Sequence, residues 1–406
     1  MIKSTTSSIK FSNSGKLQTL HQFIDEYRNV VSKFIDLLWE QEKVPCLLPK
    51  EITSQIETWL SARMIQCAGK QASGIVRGTR VKQKRRLYII NKLTNEKLYI
   101  KARKLQRIYD ETSVTKPNID QVCPELDSRF IKINLENDTS FDGWINFGSI
   151  GNKIKLHIPF KKTKHFNKMM NKGEIKTGIR LSKKQITFMF ELPDVEKRET
   201  GEVVGIDIGQ TTTISCSNGH LSCKNNHGHD LASITSKLCG CKKGSAGFDR
   251  TSQHRKNYIN WSINQLNLDN IKEVKLEKIK NMRKGKRTNR RLSHWTYTDI
   301  FSKLESKCEE QGVLVTKISP TYTSKRCSNC GWTRRNNRNG KEFRCKSCDF
   351  TIDADLNASI NIAANLKPIG YKKRHLHNIR TGFFWIEGGE EHIVPLVIKT
   401  CNRDIC

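Results

Sequence analysis

The side chains with the most constrained chemistry are those of Cys327-Ser-Asn-Cys330 and Cys345-Lys-Ser-Cys348, two Cys-x-x-Cys knuckles with fourteen residues between them. Four thiolates at this spacing close a tetrahedral shell around one Zn²⁺, and a closed shell leaves no position for a reacting water, so the expected role is structural. A redox dithiol pair is the alternative. Three acids also stand out. Asp207 lies in Val203-Val-Gly-Ile-Asp-Ile-Gly209, an apolar run whose single carboxylate is costly to bury unless it meets a metal or a partner. The same strand pattern opens the actin and sugar-kinase fold, and a hydrogen-bonded structural Asp also satisfies it. Glu277 lies near the end of Ile271-Lys-Glu-Val-Lys-Leu-Glu-Lys-Ile279, where a side chain reaches a groove; a salt-bridged surface Glu is the plainer reading, and Glu273 competes with it. Asp355, with Asp353 close by, opens a helical segment to Leu366, where an acid suits the helix dipole with or without a metal.

These residues sit in a chain of 406 residues, 36% hydrophobic and 28% charged, ordinary proportions for two or three compact units. The charge is not ordinary. With 72 Lys and Arg against 40 Asp and Glu, a formal +32 repels itself unless something anionic neutralises it. Nucleic acid is the expected partner; an anionic membrane is the competitor, but no run of about 18 apolar residues occurs and Met1 to Ser14 lack the apolar core of a secretory signal. An intracellular location, cytoplasmic and nucleoid-associated, is therefore expected, and the 14 cysteines read as thiols and metal ligands rather than disulfides.

Three textures precede and surround the acids. A strand-like opening, Ser8 to Ser12, leads into a helix whose Leu20, Phe23, Ile24, Tyr27, Val31, Phe34, Ile35 and Leu38 recur every three or four residues. A second helical stretch, Ile52 to about Tyr109, is strongly basic and includes Arg85 and Arg86. From about Phe130, short alternating segments at 130–135, 143–147, 153–158 and 185–190 predict a β-barrel or antiparallel sheet. Lys161, Lys162 and Lys164 fall in one of its connections, where they either track a phosphate backbone or form a solvated loop. Arg283, Lys286 and Arg287 cluster after Glu277, and Arg326, Trp332, Arg334, Arg335, Arg338 and Lys341 lie on the cysteine ribbon, which is expected to touch nucleic acid as well, the indole being available for base stacking.

The order of parts resembles the transposon-encoded TnpB nucleases and the compact type V CRISPR effectors. It rests on Gly-Ile-Asp-Ile-Gly, then Lys-Leu-Glu-Lys-Ile, then a Cys₄ ribbon preceded by Thr321-Tyr-Thr-Ser-Lys-Arg, then Asp-Ala-Asp-Leu-Asn-Ala-Ser. The likeness is specific from Gly201 to Leu366 and only architectural from Met1 to Thr200. It implies a multidomain α/β fold: an RNase H-like (RuvC) nuclease domain at 201–320 and 351–366, interrupted by a zinc ribbon at 321–350. A wedge β-barrel at 1–14 and 118–200 encloses a helical recognition lobe at 15–117, and 367–406 form a tail of no assigned role. Carried over residue by residue, the family's catalytic acids fall on Asp207, Glu277 and Asp355 and its zinc ligands on Cys327, Cys330, Cys345 and Cys348. Asp353 is set aside by this match alone.

The resemblance further implies an RNA-guided DNA endonuclease that binds a guide RNA, target double-stranded DNA beside a short flanking motif, the RNA–DNA heteroduplex and single-stranded DNA. It leaves open one or two subunits. Hard carboxylate ligands favour two Mg²⁺ ions, or Mn²⁺, for phosphodiester cleavage. A guided repressor without cleavage would be expected to lack one of the acids. A strand-transfer transposase lacks support from any helix-turn-helix, and a plain zinc-ribbon binding protein leaves the three acids unexplained.

Overall fold

The computed structural model describes residues 1–111, 116–136, 138–279, 290–369 and 378–386, the side chains of 82 and 83 excepted. It divides into two compact units, Met1–Asp194 and Val195–Cys406.

The first unit opens with β1 (Ile2–Ser8), α1 (Ser14–Trp39), α2 (Lys50–Thr53), α3 (Ala62–Asn95) and α4 (Tyr99–Glu111). The Asn13 side chain accepts from the Lys16 amide to start α1, and Ser61 does the same at Met64 for α3, each satisfying an otherwise orphaned donor. All eight apolar positions read from the α1 periodicity are buried, and the helix packs along α3. The second basic stretch is not one helix. Lys97, at φ 57°, breaks it between α3 and α4, and α2 is a separate single turn.

Next come β2 (Glu125–Leu126), β3 (Ile131–Asn134), β4 (Gly143–Phe147), β5 (Leu156–Phe160), α5 (Lys164–Met170), β6 (Glu174–Leu181) and β7 (Gln185–Glu191). They form two antiparallel sheets, β1-β7-β6-β2 and β3-β4-β5, around a core that includes Phe160, Phe166, Phe188 and Phe190. Two expectations are corrected. The first strand is Ile2–Ser8, not Ser8 to Ser12: its inward residues are Thr5 and Ser7, so no apolar alternation marks it, and it forms because β7 pairs with its whole length, from Ile2–Glu191 to Ser8–Gln185. The strand expected from Lys153 begins at Leu156, because Gly151, Asn152 and Lys153 all take positive φ in a turn.

The second unit contains β8 (Glu202–Asp207), β9 (Ser215–Cys216), α6 (Leu231–Gly240), α7 (Ala246–Gln265), β10 (Ile271–Glu277), α8 (Arg290–Ser293), α9 (Tyr297–Glu310) and β11 (Leu314–Ile318). These are followed by β12 (Trp332–Thr333), β13 (Arg338–Asn339), β14 (Glu342–Arg344), β15 (Thr351–Asp353), α10 (Ala354–Ala363) and β16 (Phe383–Phe384). The main sheet has the order β11-β10-β8-β9 with its first three strands parallel. Val204, Ile206, Val274 and Leu276 form a core with Tyr258 and Ile259 of α7 and Ile300 and Leu304 of α9.

Because side chains alternate along a strand, Gly205 points away from Val204 and Ile206, and there α10 lies against the backbone. A Cβ at Gly205 would stand 2.2 Å from the Ser359 carbonyl oxygen and 2.3 Å from the Ala363 nitrogen. Gly205→Ala is therefore expected to cost about 3 kcal/mol and to lower the melting temperature by roughly 10 °C. A thermal melt equal to the parent's would show that α10 shifts without penalty. Among the described residues, no helix is long and apolar enough to cross a membrane.

Candidate active site

Asp207 and Glu277 are the last residues of the adjacent parallel strands β8 and β10, whose register pairs Ile206 with Leu276. The sheet alone thus sets the two acids side by side at its C-terminal edge. Asp355 comes from the first turn of α10, the helix that Gly205 admits onto β8. Asp353 serves the helix instead: its carboxylate caps α10, accepting from the amides of Asp355 at 2.9 Å and Leu356 at 3.0 Å.

Asp207 lies within electrostatic reach of both Glu277 and Asp355. Burial, then the charges of Glu277 and Asp355, push Asp207 up from 3.8 to about 7, against a smaller pull from Arg338. Burial also raises Glu277, opposed by the Thr323 hydroxyl, which donates to it, and by Arg338. Asp355, only 6% exposed, goes the other way. Burial pushes it up, but Lys341, Arg338 and Thr212 outweigh that and hold it below the usual carboxylate range. Arg338 Nη2 reaches Asp355 Oδ1 at 2.7 Å, and Lys341 Nζ pairs with Oδ2. Two of the acids are thus held toward their protonated forms, mainly by burial, and the third stays ionised beside two side-chain cations. An all-oxygen donor set in which Asp207 is raised by burial and by both other acids fits a hard divalent cation. The carboxylates are nonetheless not drawn into one tight shell: among the described residues, the cysteines are the only group of three or more such side chains with ligand atoms all within 4.8 Å.

In that cysteine group the Sγ separations are 3.8 Å for Cys327–Cys348 and 3.6 Å for Cys330–Cys345. A regular tetrahedron with metal–sulfur bonds of about 2.3 Å has edges of about 3.8 Å, so the cage fits zinc. Phe343 and Trp332 pack around it.

Residues that sequence reasoning missed hold these parts together. Asn361 donates to the carbonyls of Thr323 at 2.9 Å and Arg326 at 2.7 Å, and its Oδ1 accepts from Arg326 Nη1 at 2.7 Å. Asn357, one turn earlier, donates to the Arg326 carbonyl and accepts from the Ser328 amide. This buried pair ties α10 to the entry of the ribbon and hence to Thr323 beside Glu277. The available signal was two Asn residues four apart in a helix rich in Ala and Ile, since buried amides demand partners.

The basic candidates divide. Arg85, Lys161, Lys164 and Arg335 are exposed; Arg86, Lys162 and Arg334 are half-buried. Arg283, Lys286 and Arg287 lie outside the described residues. Trp332 is corrected: it is 6% exposed, under Phe384 with ring centroids 4.8 Å apart and against Gly382, so its face is not open to a base. Arg326, Arg338 and Lys341, read as basic residues of a nucleic-acid-binding ribbon, are engaged by Asn361 and Asp355.

Residues 297–362 match the family model of the Cas12f1-like TNB domain. The chain is 38% identical over 119 residues to the CRISPR-associated endodeoxyribonuclease Cas12f1 of Sulfoacidibacillus thermotolerans, covering 29% of this chain and 27% of that one. It is 34% identical over 95 residues to a TnpB-like protein of Aquifex aeolicus, covering 22% and 31% respectively. In both, the match spans less than a third of the relative's length. Among solved structures, that of the Cas12f1–sgRNA–target DNA complex aligns with 89% of this chain and 98% of that chain at 14% identity, with a TM-score of 0.44. On the family-model match at 297–362, which contains the four-cysteine cage, and on these partial sequence matches, the chain is similar to the Cas12f1 and TnpB-like proteins.

Proposed function

We propose that this protein is an RNA-guided DNA endonuclease, cleaving target DNA beside a short flanking motif from an RNase H-like (RuvC) unit. The observation that carries the reading is the convergence of Asp207, Glu277 and Asp355 from two neighbouring strand ends and a helix start, with Asp207 pushed up to about 7 by burial and its companions. Asp207, coupled to both of the other acids, would hold two Mg²⁺ ions together with Glu277 and Asp355. Such ions would activate a water as nucleophile and stabilise charge on the leaving 3′-oxygen, so that the products would carry 5′-phosphates. The chain's own residues prepare the site. Thr323 fixes the orientation of Glu277, Arg338 restrains Asp355, and Asp207 gives up its proton as the site is loaded.

Cys327, Cys330, Cys345 and Cys348 hold a structural Zn²⁺ in the same reading. Guide RNA and target DNA neutralise the +32 charge, so binding should weaken steeply with salt, by a slope of roughly −0.9 in log K against log salt for each duplex phosphate contacted.

The test is to express the protein with its native flanking DNA, sequence the RNA that co-purifies, and challenge the complex with Mg²⁺ and a plasmid library bearing the matching target beside randomised bases. Depletion of plasmids sharing one flanking motif is expected. Target binding by a specific RNA complex without any cutting would replace this reading with a guided repressor, and no specific RNA would remove it.

A further inference from the structure

Lys341 follows the tip of the β13–β14 hairpin, and its carbonyl accepts from the Ala354 amide at 2.8 Å, which fixes the residue beside the first turn of α10. Its ammonium spans two elements. It pairs with Asp355 Oδ2 and donates to Thr212 Oγ1 in the loop after β8. Since Arg338 occupies Oδ1, both oxygens of Asp355 are engaged by side-chain cations on the very acid that a divalent ion would have to draw upon. The two cations differ in freedom. Arg338 is 23% exposed and also donates through Nε to the Gly340 carbonyl at 3.1 Å, whereas the Lys341 side chain is 47% exposed. A compact ammonium on a four-carbon stem swings more readily than a planar guanidinium held at several points.

We infer that Lys341 is an exchangeable counter-ion that leaves Asp355 when divalent ions load and then contacts the non-bridging oxygens of the scissile phosphate. The inference rests on the reading of the site as a two-ion nuclease and deepens it. Moving one positive charge from carboxylate to phosphate makes room for the incoming ions and adds a point charge where negative charge grows in the transition state. Nothing in the ribbon need unfold for this, because the backbone of Lys341 stays anchored at Ala354 while only its side chain turns.

The test compares wild type, Lys341→Gln and Lys341→Arg in two measurements. Mn²⁺ binding to the full chain without RNA is followed by electron paramagnetic resonance, and plasmid cleavage by the RNA complex is timed at saturating Mg²⁺. Lys341→Gln is expected to bind Mn²⁺ about fivefold more tightly, the scale of one half-exposed ion pair, and to cleave roughly 100-fold more slowly. Lys341→Arg should keep the wild-type Mn²⁺ affinity within about twofold and recover part of the rate, which separates lost charge from a damaged fold. Unchanged Mn²⁺ affinity or undiminished cleavage in Lys341→Gln, beside an active wild type, overturns the inference. A wild type that neither binds Mn²⁺ nor cuts overturns the nuclease reading instead.

Discussion

Asp207→Asn is expected to reduce target cleavage by about three orders of magnitude or more while leaving guide-RNA and target binding intact. The substitution keeps the shape of the side chain and removes the charge that Glu277 and Asp355 face. The same variant carries a second, independent signature. In the metal-free protein Asp207 is raised from 3.8 to about 7, so the folded state holds its proton more tightly than the unfolded state does. Its contribution to stability is therefore present below about pH 4 and is lost as pH rises through 7. Metal-free Asp207→Asn should accordingly melt higher than wild type at pH 8, and the two should approach one another at pH 4. Added Mg²⁺ should raise the wild-type melting temperature more at pH 8 than at pH 5, and should do little for the variant. Substantial cleavage by Asp207→Asn, measured as cut plasmid over time, would remove Asp207 from the catalytic centre.

The largest expected loss of structure follows removal of the proposed structural zinc. Cys345 is fully buried in the cage, and Cys345→Ser leaves three thiolates for a four-coordinate ion. Structural zinc contributes on the order of 10 kcal/mol in small ribbons, far more than the packing of Phe343 and Trp332 supplies around the cage. Purified wild type should carry a single zinc ion per chain by elemental analysis, and Cys345→Ser none. The damage should not stop at the ribbon. Asn357 and Asn361 of α10 hold the Arg326 carbonyl at the ribbon's entry, and Thr323 in that entry holds Glu277. Zinc loss should therefore abolish cleavage even though, among the described residues, the cage cysteines are not hydrogen-bond partners of the three acids. A zinc-free variant that cuts at the wild-type rate would show that the ribbon and the catalytic centre are independent.

Some of this architecture was legible residue by residue. The α1 face was readable because an amphipathic helix repeats its apolar positions at a period that no tertiary contact needs to explain. The cysteine cage was readable because two knuckles restrict their own geometry: Cys-x-x-Cys spacing sets both ligands of each pair before the chain folds around them. β8 was likewise marked by an apolar run ending at Asp207, and β10 by Ile271, Val274 and Leu276 set among charged residues ahead of Glu277. Against this, β1 was misplaced, since its inward Thr5 and Ser7 carry no hydrophobic signal and its register is imposed by β7.

What the linear order of residues determined on its own was the set of chemical parts: three separated acids, four thiols at metal spacing and an excess of positive charge. Tertiary structure decided their assignment. Asp353 and Asp355 are indistinguishable as neighbours in sequence, yet helix geometry turns the first onto the amides of α10 and the second toward Asp207. Arg326, Arg338 and Lys341 read as nucleic-acid contacts by charge alone, but charge has no direction in a sequence, and the fold commits them to Asn361 and Asp355. Trp332 read as a stacking ring, and a β12–β16 pairing buries it. The physical reason is common to all of these. Local periodicity and spacing are properties of short segments, whereas the partner of a charge or an aromatic ring is whatever the rest of the chain brings within a few ångströms of it.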